Sequence, residues 1–367
     1  MTETQQVLKN SAREFFPAEC PIAEVRRLME TDTACDPALW KKIAGQGWCG
    51  ILFPEEYDGL GLGMVELAAA MEEMGRALVP GPFLSGILAG AVLDAAAAPE
   101  LKARYLAPLC RGELKSTLAL LEETPDWDPA AVKMKALDGR KLFVPDAAVA
   151  DFLIVAARTG PALALFAVDP KAPGVAISPM PAMDATRKQY AVTFSGVEGE
   201  LLASGPAAES ALERALDIAT VALVAEMTGG MQKVLDITVE YAKTRKQFGK
   251  PIGQYQAVQM HCADMLVLTE SSRSAAYYAA YAVQNKLAEA RAAVSIAKAY
   301  ASDAYREVGN KGIQCHGGMG FTWENDLHLY YRRAKASELA FGDAACHRER
   351  LARLVIDQPQ ARAAEKS

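Results

Sequence analysis

Arg245, Phe248 and Gln256 lie close together in the stretch Tyr241 to Gln259, YAKTRKQFGKPIGQYQAVQ. A guanidinium is a planar fork of donors that grips a phosphate in two places. An aromatic ring and an amide beside it supply what is needed to hold a pyrophosphate and the adenosine beyond it. Lys243, Lys246 and Lys250 add positive charge to the same stretch. Cations near a helix C-terminus also complement its dipole, so a capped, exposed turn accounts for the charges. It does not account for their company of Phe248 and Gln256. A second stretch, Gln314-Cys315-His316-Gly317-Gly318-Met319-Gly320-Phe321, offers an amide followed by three glycines that allow close backbone approach to a ligand. A structural helix cap explains one of those glycines, not three. His316 has no second histidine or acid cluster near it, so no metal site is expected.

Glu226 is the one candidate catalytic residue, set in the apolar run Val221-Ala-Leu-Val-Ala-Glu-Met. A carboxylate in apolar surroundings is a common general-base arrangement. The competing reading, a structural carboxylate paired with a distant arginine or facing an interface, is the one favoured.

The elements that must position these groups follow from periodicity and breakers. Val234, Leu235, Val239, Tyr241 and Ala242 continue one apolar stripe, which predicts a helix stopped by Gly249-Lys250-Pro251, with a second helix starting after that corner. From Thr4 to about Leu114 the pattern is helical, interrupted at Pro17, Pro54, Gly59 to Gly63 and Pro80 to Pro82. Between Lys115 and Ala203 five short β-type runs appear: Ser116–Leu121, Lys141–Val144, Phe152–Ala157, Leu163–Val168 and Gln189–Phe194. From Ala207 to Arg362 the chain is Ala-rich and helical again. The expected domains are residues 1–114 (helical), 115–205 (β) and 206–367 (helical bundle), a mainly α fold with a central β domain.

With 367 residues the chain exceeds one ordinary core, and with 39 basic against 45 acidic residues its formal charge of −6 argues against a nucleic-acid partner. No apolar run is long enough for a membrane span. Seven scattered cysteines without a C-x-x-C pair predict free thiols in a reducing compartment. The polar start MTETQQVLKNSAREFF shows neither a signal-peptide core nor an Arg-rich transit pattern, so the cytoplasm is expected.

The spelling goes further than the composition. R-K-Q-F-G-K-P-I-G-x-x-Q-A at Arg245 to Ala257 resembles the signature of the flavin-dependent acyl-CoA dehydrogenases. Pro54-Glu55-Glu56-Tyr57-Asp58-Gly59-Leu60-Gly61 resembles that family's P-E-x-x-G-G-x-G loop, and the stretch from Gln314 resembles its Q-x-x-G-G-x-G-F. The resemblance covers most of the chain. It implies helical bundles on either side of a small β-barrel, FAD as cofactor, an acyl-CoA substrate and electron-transferring flavoprotein as acceptor. It assigns Arg245, Gln247, Phe248, Gln256, Gln314, Gly317 and Gly318 to FAD, reaching mainly the adenosine side of a cofactor seated in a neighbouring subunit.

The chain also departs from the family. Where members hold the flavin ring with stretches like T-E-P-x-x-G-S and W-I-T-N, this chain has Leu121-Glu122-Glu123-Thr124-Pro125-Asp126-Trp127 and Phe143-Val144-Pro145-Asp146. Trp127 is bulky and Pro145 has no N–H to donate. The family's base falls at Ala340-Phe341-Gly342-Asp343, and an alternative base position falls at Ala219, with Thr220 in place of an arginine. The resemblance therefore implies one subunit of a hetero-oligomeric acyl-CoA dehydrogenase of fatty acid or steroid degradation, whose homologous partner seats the flavin and supplies the base. Such members process bulky or unusual acyl groups such as steroid side chains or dicarboxylates. The alternatives are a self-sufficient homotetramer using Glu226 and a non-catalytic scaffold or acyl-CoA-binding subunit.

Overall fold

A computed structural model describes residues 2–357. The N-terminal stretch forms α1 (Glu3–Glu19), α2 (Ile22–Met29), α3 (Pro37–Gly45), α4 (Met64–Arg76), α5 (Phe83–Ala96) and two short helices, α6 (Pro99–Leu101) and α7 (Ala107–Cys110). Thr2 and Gln5 close a reciprocal capping box at the start of α1. Pro17, expected from sequence to interrupt the helix, lies instead inside it, in the last turn of α1, which runs on to Glu19.

The middle stretch holds β1 (Ser116–Ala119), β2 (Gly139–Pro145), β3 (Phe152–Thr159), β4 (Ala162–Val168), β5 (Val175–Met180), β6 (Gln189–Phe194) and β7 (Glu200–Ser204). They form two sheets, of order β1-β3-β4-β7 and β2-β6-β5. Only β1 and β3 pair parallel, in the register Ser116 with Phe152; the other pairs are antiparallel. Leu153, Val155, Val192, Phe194 and Val144 fill the space the strands enclose. The β-branched and aromatic runs made five of these strands legible. β5 (VAISPM) is mostly exposed and β7 (ELLAS) begins with an acid, so neither carries a continuous apolar run.

The remaining elements are α8 (Pro206–Thr244), a two-strand corner of β8 (Lys246–Gln247) and β9 (Lys250–Pro251), then α9 (Gln256–Gln284), α10 (Ala290–His316), α11 (Leu327–Leu339) and α12 (Ala344–Ala352). No helix among the described residues is long and apolar enough to cross a membrane.

By packing, the chain forms two units that cut across the three sequential stretches. One comprises residues 23–63 and 80–219, and so contains both sheets. The other comprises residues 1–22, 64–79 and 220–367, so that α1 and α4 belong with the C-terminal helices. Within that unit α4 and α8 meet backbone to backbone: a Cβ on Gly75 would lie 1.9 Å from the Glu226 carbonyl oxygen, and one on Gly229 would lie 1.7 Å from that of Glu72. Only glycine allows that approach.

Candidate functional site

The C-terminal end of α8 is fixed by its own backbone. The Arg245 N–H donates to the Tyr241 carbonyl (2.8 Å), and the Ile252 N–H returns to the Arg245 carbonyl (2.8 Å) across the β8–β9 corner. Phe248 and Gly249 both take positive φ at the tip, 51° and 81°. The Tyr255 hydroxyl donates to the Gln247 carbonyl (3.0 Å), and the Lys250 ammonium lies 4.4 Å from the centre of the Tyr255 ring. The result is a braced corner that holds the Phe248 ring out in solvent, 92% exposed. Arg245, Gln247 and Gln256 are exposed around it. The Arg245 guanidinium has no hydrogen bond or ion pair among the described residues.

The second stretch lies at the end of α10. Gln314, Gly317 and Gly318 are exposed, Gly317 has φ 61°, and a Cβ added to Gly317 or Gly318 would meet nothing. Gly320 differs, since a Cβ there would press on the Ile313 backbone at 3.1 Å. One glycine is thus packing, while the other two border open space.

These two stretches are distant in sequence, and a ring stack joins them. Tyr241 lies on the His316 imidazole with centroids 4.1 Å apart and planes 20° apart. His316 is buried, its Nδ1 is 2.9 Å from the Gly312 carbonyl oxygen, and burial lowers its pKa, so the stacked imidazole is neutral at pH 7. Neither Tyr241 nor His316 stood out as a positioning residue in sequence, because the contact is made only when α8 and α10 pack. The structure therefore brings Arg245, Gln247, Phe248, Gln256, Gln314, Gly317 and Gly318 to one end of the C-terminal helices. An exposed, unpaired guanidinium, an outward aromatic ring and an open glycine cradle fit the pyrophosphate and adenosine of FAD.

Glu226 is not among them. It lies 19 residues earlier on α8, about 28 Å along the axis at 1.5 Å per residue. It is 3% exposed, and the Arg333 guanidinium, 1% exposed, donates to its Oε1. Among the described residues no group of three metal-ligating side chains is present.

The segments matching the family's flavin-ring seat are held by a different pair. Glu122 accepts from the Lys133 and Met134 N–H groups (3.0 and 2.9 Å) and from the Lys141 ammonium (2.8 Å). Lys141 is wholly buried and also donates to the Leu120 carbonyl (2.9 Å). Burial raises the Glu122 pKa, but the Lys141 and backbone donors bring it net below the ordinary value. These bonds tie the two segments together. The Phe143 N–H is spent on the Met180 sulfur at 3.4 Å, and Pro145 has none. Neither Phe143 nor Pro145 therefore has a backbone donor to offer a ligand.

The family's base positions carry no free carboxylate. Ala219 is fully buried and Thr220 nearly so. Asp343 caps α12, accepting from the Cys346 N–H at 2.8 Å. The turn leading to it is clamped by Lys298, whose buried ammonium donates to the Glu338 and Gly342 carbonyls (2.9 and 2.8 Å) and to Ser302 Oγ (3.0 Å).

Helices, a two-sheet β domain and long helices again, in that order, define the class of flavoprotein dehydrogenases. Residues 2–113 match the model of the acyl-CoA dehydrogenase N-terminal domain, and residues 209–356 match that of its C-terminal domain. The acyl-CoA dehydrogenase IpdE2 of Mycobacterium tuberculosis is 33% identical over 91% of this chain and 92% of its own length. The chain belongs to the acyl-CoA dehydrogenase family, whose members are FAD-dependent oxidoreductases. Among solved structures it is similar to the steroid ACAD Tcur3481-Tcur3483, with TM-score 0.87, 29% identity and 99% of each chain covered. It is also similar to the ChsE4-ChsE5 complex of Mycobacterium tuberculosis, with TM-score 0.89, 27% identity and 98% and 99% covered.

Proposed function

We propose that this chain is one subunit of a hetero-oligomeric acyl-CoA dehydrogenase in the cytoplasm, whose homologous partner seats the flavin ring and supplies the catalytic base. The observation that carries this reading is the division of the site. The groups suited to the adenosine end of FAD are outward-facing, while at the ring-seat segments the Phe143 N–H is spent and Pro145 has none, and the base positions are filled by Ala219 and by the capping Asp343. The two-chain complexes among its structural relatives support it.

In the assembled enzyme a carboxylate takes the α-proton of a saturated acyl-CoA thioester as the β-hydrogen leaves as hydride, giving a trans-2-enoyl-CoA. FAD, when bound, supplies the hydride acceptor, and electron-transferring flavoprotein takes the electrons onward. This chain's share is to hold. Arg245 would hold the pyrophosphate, Phe248, Gln247 and Gln256 would lie toward the adenosine, and Gln314 with Gly317 and Gly318 would contact the adenosine side. The steroid ACAD among its structural relatives makes a bulky, ring-bearing acyl group the first substrate class to test.

Purified alone, the chain should carry no stoichiometric flavin absorption; co-expressed with its partner, the complex should be yellow and oxidise CoA thioesters with an artificial acceptor. Arg245→Ala should lower FAD retention in that complex while the isolated chain stays folded. Stoichiometric FAD and turnover in the chain alone would overturn the reading.

A further inference from the structure

A cavity of about 310 Å³ lies where α1, α4, α8 and the start of α11 meet, within the unit that holds the long helices. Its lining is divided by chemistry. Pro17 and Pro21 at the end of α1, Ala77 just after α4 and Ile237 of α8 supply an apolar floor, while Arg13, Arg76 and Lys233 supply three cations. Glu73 and Asp326 are the acids of the lining, so positive charge is in excess there, in a chain whose overall formal charge is −6.

The excess is not spread evenly. Glu73 is taken by Arg13, which gives it two hydrogen bonds from Nε and Nη2 (3.2 and 2.7 Å) and leaves Nη1 unused. Arg76 pairs through one nitrogen with Asp236 at 2.5 Å, an acid outside this lining. Lys233 is half-buried and has no hydrogen bond or ion pair among the described residues. A half-buried ammonium without a counter-ion, beside two partly used guanidinium groups, has donors to spare for an anion that the chain itself does not supply. Lys233 and Ile237 are four residues apart on α8, so they share one face and a single ligand can meet both. The guanidinium fork matches a carboxylate.

We propose that this cavity is a binding site for an organic carboxylate with an alkyl tail, the head on Lys233 and Arg76 and the tail on Ile237, Ala77 and the prolines of α1. Its volume suits a small ligand, at the low end of the roughly 300 to 1,000 Å³ of such pockets. The occupant ties α1 and α4 to α8 and α11. A neighbouring cavity of about 440 Å³ provides the internal contrast. It shares Arg13 and Arg76, but every residue that lines it is charged or an amide, and its other cations, Lys9 and Arg273, are both bonded to Glu72 (2.6 and 3.0 Å). It offers no floor for a tail. None of the residues assigned above to FAD lines either cavity, so the proposal stands apart from the proposed function.

The test titrates octanoate into the full-length chain and follows heat and melting temperature. One octanoate per chain and a raised melting temperature are expected. Lys233→Met breaks no bond of the folded chain, so it should leave the ligand-free melting temperature in place. It should weaken octanoate binding about tenfold or more, the equivalent of losing one charge-assisted hydrogen bond. Ile237→Asp should weaken binding as well, by placing a negative charge where the tail lies. Two controls separate tail from charge. n-Octanol carries the tail alone and inorganic phosphate the charge alone, and each should bind at least about tenfold more weakly than octanoate. Octanoate binding that is unchanged in Lys233→Met overturns the proposal, because the ligand then sits elsewhere, an acyl site included. Octanol or phosphate binding as tightly as octanoate overturns it too, as does a chain that takes up no octanoate.

Discussion

At the scale of single residues, Glu226 and Arg333 show how a group suited to catalysis can be taken up by structure. A buried carboxylate facing a buried guanidinium is held in place by charge-assisted hydrogen bonding, and removing one charge strands the other. Glu226→Gln keeps the side-chain volume but removes the negative charge that faces Arg333 in a dry site. The expected outcome is a loss of roughly 3 to 5 kcal/mol in urea unfolding of the chain, the range for breaking a buried pair. Turnover of the assembled, flavin-loaded enzyme should stay within about a factor of three, against the 10²- to 10⁴-fold loss typical of removing a general base. A thousandfold fall in a stably assembled variant would make Glu226 the base. The sequence showed the apolar setting of Glu226 and the expectation of an arginine partner. It could not name Arg333, because a partner 107 residues away is chosen by helix packing, not by local pattern.

At the scale of elements, the turn between α11 and α12 is the clearest case of one element clamped by another. Lys298 reaches from α10 to two backbone carbonyls there, and His347 of α12 places Nε2 2.9 Å from the Phe341 carbonyl oxygen. Burial pushes the Lys298 ammonium down to about 8 and the His347 imidazole down to about 4. The groups facing Lys298 are Glu338 from α11, Asp343 from the turn and Cys346 from α12, and those facing His347 include Lys298, Arg350 and Asp343. For both groups the folded pKa is depressed below the unfolded one, so the unfolded chain binds more protons between the two values. Stability should therefore rise with pH from about 8 toward the ordinary lysine value, and fall as pH drops from the ordinary histidine value toward about 4. Urea unfolding across that range should show the alkaline rise in the wild-type chain and lose it in Lys298→Met. A parallel pair of stability curves would show that Lys298 is not the group responsible. Nothing in the sequence singled out Lys298, since a lysine in an Ala-rich helix reads as a solvated face. The corner at Gly249 to Pro251 was legible because glycine and proline act on their own backbone, while β5 and β7 were not because their pairing partners define them.

At the scale of the whole chain, order along the sequence and order in packing part company. Helices, strands and helices again could be read from composition and periodicity, yet α1 and α4 pack with the C-terminal helices. Glu72 of α4 is the knot. Its carboxylate takes the Lys9 ammonium of α1 (2.6 Å), the Arg273 guanidinium of α9 (3.0 Å) and the Tyr277 hydroxyl (2.8 Å), while the neighbouring Glu73 receives Arg13 of α1 in two bonds (3.2 and 2.7 Å). Alongside, Gly75 and Gly229 let α4 and α8 touch through their backbones, so the face of α8 there is shaped for α4 and for nothing smaller. A fragment starting at residue 206 would keep α8 through α12 but lose both α1 and α4. Tyr277 would lose its acceptor and Arg273 one of its three, keeping Glu270 and Gln232, and a buried helix face would be exposed to water. The expected outcome is a fragment that is helical by far-ultraviolet circular dichroism yet melts over a broad range and binds a hydrophobic dye, whereas the full chain unfolds cooperatively. Restoring residues 1–22 and 64–79 through a fused linker should recover the sharp transition, because those two segments complete the unit. A fragment from residue 206 that melts as sharply as the full chain, with a midpoint within a few degrees of it, would show that α1 and α4 are passengers on a bundle that stands without them.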